Sequence, residues 1–145
     1  MNILVVNGPN LNMLGKREPE IYGSSSYEDL VLLMKEYSKK NDINLLLFQS
    51  NHEGEIIDFL QKHYLDFPYL VINPGAFTHY SYAIYDAIKS CQYKAVEVHI
   101  SDILNREPFR KISVIKDACV AQISGKGFKG YIEAIEILRK ESSSL

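Results

Sequence analysis

Five short apolar runs set what this chain can fold into: Ile3 to Val6, Leu45 to Phe48, Tyr69 to Ile72, Ala95 to Val98 and Cys119 to Ile123. Each carries apolar residues on both parities, so both faces of each strand need cover, which is the habit of parallel sheets. The stretches between them are helical in period. Leu30, Leu33, Met34 and Tyr37 fall at i, i+3, i+4 and i+7, and Ser25 with Glu28 fits a capping box in front of them. Ser50 and Glu53 repeat that pattern before Ile56, Ile57, Leu60 and Tyr64. Ile84, Ala87, Ile88 and Cys91 mark a third helix, and Tyr131, Ala134, Ile135 and Leu138 a last one.

The order is βαβαβαβ, an irregular link, then βα. Such alternation predicts an α/β fold: a three-layer α/β/α sandwich around a five-stranded parallel sheet. Of the two common strand orders, the flavodoxin-like 2-1-3-4-5 suits five strands. Its switch point lies between the first and third strands, and ligands bind there, outside the carboxyl ends. With 145 residues the chain reads as one domain, 1–145, and the serine tail Ser142 to Ser144 is expected to fray.

A formal net charge of −2, with basic residues scattered apart from Lys39–Lys40 and the Arg106, Arg110, Lys111 group, gives no electrostatic case for nucleic acid. The start MNILVV has neither the basic region nor the apolar length of a signal peptide or membrane span, so a cytoplasmic protein is expected. Cys91 and Cys119 lack metal-type spacing and are expected to pack in the core. His52, His63, His79 and His99 form no metal motif; the first two read as surface or capping residues, the last two as strand-end groups able to move a proton. GKGFKG, from Gly125 to Gly130, matches G-x-G-x-x-G. No acidic strand follows about 20 residues on, so a tight turn into the last helix is the expectation, not a dinucleotide site.

Three segments leave the strands at the expected ligand edge: Asn7 to Gly23, Asn73 to His79 and His99 to Arg110. The first is longer than the usual connection of about 2 to 6 residues, which marks binding loops and lids. It carries Asn10, Asn12, Arg17, Glu18, Glu20 and Tyr22. No nucleophile elbow and no Cys–His pairing in sequence is present, which leaves a phenol, guanidinium groups, imidazoles and amides. That set suits acid/base chemistry on a small anion. A phenol acts as a base near neutral pH only if something lowers its pKa from about 10, and Arg17 stands five positions before Tyr22.

NGPNLNMLGKREPEIYG, QSNHEGEIID, NPGAFTH, EVHIS and REPFR, in that order, resemble type II 3-dehydroquinate dehydratase over nearly the whole chain. The resemblance implies a flavodoxin-like fold without flavin, no cofactor and no metal, and loss of water from 3-dehydroquinate to give 3-dehydroshikimate in the shikimate pathway of aromatic amino acid biosynthesis. It implies Tyr22 as the base at C2, Arg17 as the lid residue favouring tyrosinate, His99 as the acid at the departing hydroxyl, and Asn10 as positioning a water or donor at the enolate. Asn73, His79, Ile100, Ser101 and Arg110 would hold the substrate. Asp86 would reach a neighbouring subunit's site in a homo-oligomer of trimers assembled into a dodecamer, for which the aromatics Tyr80, Tyr82, Tyr85 and Tyr93 offer contact surface. Asp102 departs from the family's usual Asn. A different lyase or isomerase on a related hydroxy acid, or a non-catalytic binding module, remain the alternatives.

Overall fold

In the computed structural model, which describes residues 1–16, 20 and 25–143, the strands are β1 (Asn2–Asn7), β2 (Asn44–Gln49), β3 (Tyr69–Asn73), β4 (Lys94–His99) and β5 (Ala121–Ser124). They form one sheet in the order β2-β1-β3-β4-β5, every pairing parallel. The long helices are α1 (Tyr27–Lys40), α2 (Glu53–His63), α3 (Tyr82–Ser90) and α4 (Lys129–Ser143).

Strand parity sorts the core into two layers. Ile3, Val5, Val71, Val96, Val98 and Ile123 face α1 and α4 through Leu30, Met34, Tyr131, Ala134, Ile135 and Leu138. Leu4, Val6, Leu70, Ile72 and Ala95 face α2 and α3 through Ile56, Leu60, Ile84, Ala87 and Ile88. Most of these side chains have no accessible surface, and each large one contributes roughly 1.5–3 kcal/mol on leaving water.

Local details depart from the sequence reading. The capping box before α1 is Ser26 with Asp29, one residue later than Ser25 with Glu28, because three serines in a row offer two frames of the same pattern. The second box does not form. α2 starts after His52, Ser50 is buried and accepts from the His52 N–H, and Glu53 instead accepts from Ser81 across the layer, 2.5 Å. Tyr64 and Cys91 close their helices instead of extending the buried stripes, and Tyr64 is exposed. The fifth strand begins at Ala121, since Cys119 ends a 3-10 turn and Val120 is open to solvent. Both cysteines are only half-buried, at the margin of the second core layer. The tail is helical through Ser143, where Ser142 and Ser143 hydroxyls back-bond to Arg139 and Lys140 carbonyls. His63 is no surface residue: its half-buried ring packs between Phe59 and Phe67. Tyr93, too, is buried, with its hydroxyl on the Leu60 carbonyl, 2.5 Å; Tyr80 and Tyr82 are exposed.

Candidate active site

At the carboxyl ends of β1, β3 and β4 a cleft is lined by Asn10, Asn73, Gly75, His79, His99, Ile100, Ser101, Arg106 and Arg110 among others. The sheet edge dictated by the strand order thus gathers residues from three distant segments. Of the sequence candidates, Asn10, Asn73, His79, His99, Ile100, Ser101 and Arg110 meet here. Asp86 does not; it lies on the exposed side of α3. Arg17, Glu18 and Tyr22 fall outside the described residues, and Glu20, which is described, is exposed.

His99 ends β4, its imidazole Nε2 bonded to the carboxylate of Glu97, two residues back on the same face of the strand. Glu97 has no accessible surface and also accepts from Thr78 Oγ1, 2.5 Å, and Ser113 Oγ, 2.8 Å. Burial pushes this carboxyl up, but the bonds and charge from His99, with those of Thr78 and Ser113, outweigh it and hold the group below its usual range. An ionised carboxylate only accepts, so the proton in this contact belongs to Nε2 and the ring presents Nδ1 as its other polar atom. Glu97 went unread among the candidates, although a carboxylate inside an apolar strand run is itself a signal, because such a group is found buried only when paired.

His79 closes the 3-10 turn Gly75–His79; its Nδ1 bonds the Ile112 carbonyl, 2.7 Å, and its ring meets Phe109 edge-on. Burial, partly offset by that carbonyl, moves His79 below the ordinary histidine value, so near pH 7 it is neutral, with Nδ1–H given to the carbonyl and Nε2 left as an acceptor. Arg110 lies over the Phe109 ring, 4.7 Å from its centre, and its Nε is bonded to Glu107, which leaves the guanidinium fork for an anion. The carbonyls of His99, Ile100 and Ser101 are taken from behind. Gly125 N–H bonds His99 and Ser101, Gly127 N–H bonds Ile100, and Ser124 Oγ bonds Ser101. What this loop offers the cleft is therefore donors. Gly125 and Gly127 take φ values of +79° and +59°, so GKGFKG is the expected tight turn before α4.

The opening loop is held from β2. Gln49 Nε2 donates to the Gly8 carbonyl, 3.1 Å, and to Asn12 Oδ1, 3.4 Å, and Asn10, left-handed at φ 71°, donates its N–H to Asn51 Oδ1, 2.9 Å. Gly8 lies against the turn after β3, where an added methyl would fall 2.4 Å from the Pro74 oxygen. Asn73 is buried, its amide nitrogen donating to Tyr131 Oη, 2.9 Å, and its oxygen accepting from Gly75 N–H, 3.1 Å. Among the described residues no three His, Cys, Asp or Glu side chains cluster as a metal centre would need, and no helix is long and apolar enough to cross a membrane.

Comparison with known proteins gives the same direction. Residues 1–139 match the family model for class II dehydroquinase. The 3-dehydroquinate dehydratase of Thermotoga petrophila is 57% identical over 145 residues, covering 100% of this chain and 99% of the relative. That of Clostridium beijerinckii is 54% identical, with 99% of each covered. The crystal structure of the type II dehydroquinase from Butyrivibrio crossotus superimposes with a TM-score of 0.94 at 55% identity, over 96% of this chain and 97% of that one. From match, identity and fold together, the chain belongs to the class II dehydroquinase family.

Proposed function

We propose that this chain is a 3-dehydroquinate dehydratase of type II, one catalytic domain that eliminates water from 3-dehydroquinate to give 3-dehydroshikimate in the shikimate pathway. The observation that carries the reading furthest is the His99–Glu97 pair, with His99 in a cleft that Ile100, Ser101 and Arg110 also line.

In this reading Tyr22, favoured as tyrosinate by Arg17, removes a proton from C2, and the electron pair moves onto the C3 carbonyl as an enolate. Asn10 positions a donor or water there. The enolate then re-forms the carbonyl as the carbon–oxygen bond at C1 breaks, and His99 gives a proton from Nδ1 to the hydroxyl, which leaves as water. Glu97 fixes the ring's orientation and supplies a countercharge while the ring carries two protons. Arg110, Ser101 and the Ile100 backbone take the substrate carboxylate, while His79 and Asn73 take its hydroxyls. Asp86, exposed and away from its own cleft, serves a neighbour's site in a homo-oligomer, a dodecamer of trimers, in the cytoplasm.

Adding 3-dehydroquinate to chelator-treated protein and following the ultraviolet absorbance of the conjugated enone tests this directly. Absorbance rising in proportion to enzyme is the expected result; binding without turnover would leave a non-catalytic module instead.

A further inference from the structure

Tyr131 sits in the first turn of α4, outside the three strand-end segments that hold the sequence candidates, yet its side chain is wholly buried beneath the cleft. Its hydroxyl donates to Asn7 Oδ1, 2.6 Å, and accepts from Asn73 Nδ2, 2.9 Å. Asn7 and Asn73 are the last residues of β1 and β3 and are paired in register, so the phenol bridges the two strand ends that flank the switch point. One proton on the hydroxyl fixes both amides. Tyr131 donates to Asn7, so Asn73 must turn its NH2 to the phenol and its oxygen to Gly75 N–H. Asn73 thereby presents one defined face to the cleft that it lines.

Asn7 Nδ2 is buried and makes no well-formed hydrogen bond among the described residues, although the Tyr27 phenol interacts with this amide. Packing alone would be served better by apolar side chains of the same shape, since an unmade buried bond is destabilising and replacing both partners is not. Local rules broken in this way gather at functional sites. We infer that Tyr131 is a positioning residue of the dehydration site, acting through Asn73 by locking its amide across the β1–β3 switch point. This rests on the proposed dehydratase activity.

The test is a double-mutant cycle of Tyr131→Phe with Asn73→Ala, read as kcat and KM for 3-dehydroquinate beside thermal unfolding of each variant. A packing variant of the same helix, Ile135→Val or Ile135→Ala, is chosen to match the loss of Tm. Tyr131→Phe should lower kcat/KM by about 10- to 100-fold, as loss of orientation near the chemistry does. Asn73→Ala should lose at least as much, the double variant no more than Asn73→Ala alone, and the Ile135 variant should keep its activity. Wild-type kcat/KM in Tyr131→Phe, multiplying losses in the double variant, or an equal loss in the Ile135 variant would each overturn the assignment. If Tyr131→Phe does not fold, Asn7→Ala breaks the same bridge from its other end and is read in its place against the same outcomes. Wild-type protein that never turns over 3-dehydroquinate would refute the dehydratase reading and this proposal together; an active wild type with unaffected bridge variants refutes this proposal alone.

Discussion

Replacing Gly8 by alanine should damage catalysis far more than folding. The new methyl would lie 2.4 Å from the Pro74 oxygen and 2.6 Å from the Pro74 carbonyl carbon, where ordinary contact needs about 3.4 Å. Both atoms belong to backbone, so no side chain can swing aside, and the ends of β1 and β3 must part by about 1 Å. The Gly8 N–H bond to the Asn73 carbonyl, 2.7 Å, spans that same gap. Overpacking of this kind costs about 1–3 kcal/mol, which for a chain of this size lowers Tm by roughly 2–12 °C. A misplacement of about 1 Å beside the reacting groups costs on the order of 100-fold in rate. At 25 °C the variant should therefore remain folded by circular dichroism while kcat/KM falls about a hundredfold. Unchanged kcat/KM, or a loss no larger than the unfolded fraction explains, would show that the spacing of the strand ends does not set the geometry of the site.

The His99 anchor gives two further expectations. Thr78→Val keeps the shape but removes a donor to the buried Glu97 carboxylate, and urea unfolding should show a loss of about 1.5–3 kcal/mol; an unchanged midpoint would mean that the bond contributes nothing. Glu97 is held below its usual 4.5, so the stability it confers is complete above about pH 4.5 and drains away as pH falls through its lower folded value. Thermal stability of wild type and Glu97→Gln should accordingly converge as pH falls below about 4.5, and a gap that stays constant down the whole acid limb would refute the linkage. Mixing inactive Tyr22→Phe with inactive Asp86→Ala subunits under exchange should restore part of the activity, because some sites then draw an intact Tyr22 and an intact Asp86 from different chains; exchange without rescue removes Asp86 from the neighbour's site.

The sheet was readable because the inner strands β1, β3 and β4 are covered on both faces, which writes burial onto both parities of the sequence, and because each helix needs only one apolar stripe; the edge strand β5, with Gln122 exposed, departs from this. Strand order followed from strand number and connection. Boundaries were less legible where the local code repeats: Ser24, Ser25 and Ser26 offer the α1 cap in more than one frame. They failed at Ser50 and Glu53 because Glu55, five residues on, and Ser81, from across the layer, took the side chains a cap would have used. The cleft's lining was legible as strand-end loops, but the groups behind it were not. Thr78 and Ser113 reach Glu97 across 19 and 16 residues, and Tyr131 reaches Asn7 across 124. Nothing local distinguishes Tyr131 from its core stripe, since its ring packs as an apolar residue would and only its hydroxyl departs from that role.

Asp102, where the resemblance leads one to expect Asn, caps its own turn. Both of its carboxylate oxygens are bonded within the chain. Oδ1 accepts from the Leu104 N–H, 3.0 Å, capping the turn Ile103–Asn105, and Oδ2 accepts from Asn105 Nδ2, 2.6 Å. An asparagine at 102 could keep the Leu104 cap with its oxygen and donate its NH2 to Asn105 once that amide turns its oxygen inward, so the turn admits either residue. The turn that carries Ile103 and Arg106 to the cleft is capped by the side chain at 102 in either case. Gly125 completes the fit, because a side chain there would press within 3.1 Å of the Asp102 Cβ and push the capped turn off the glycine loop. The same loop holds the carbonyls of His99, Ile100 and Ser101, so the capped turn at 102 and the segment that follows β4 are braced by a single turn.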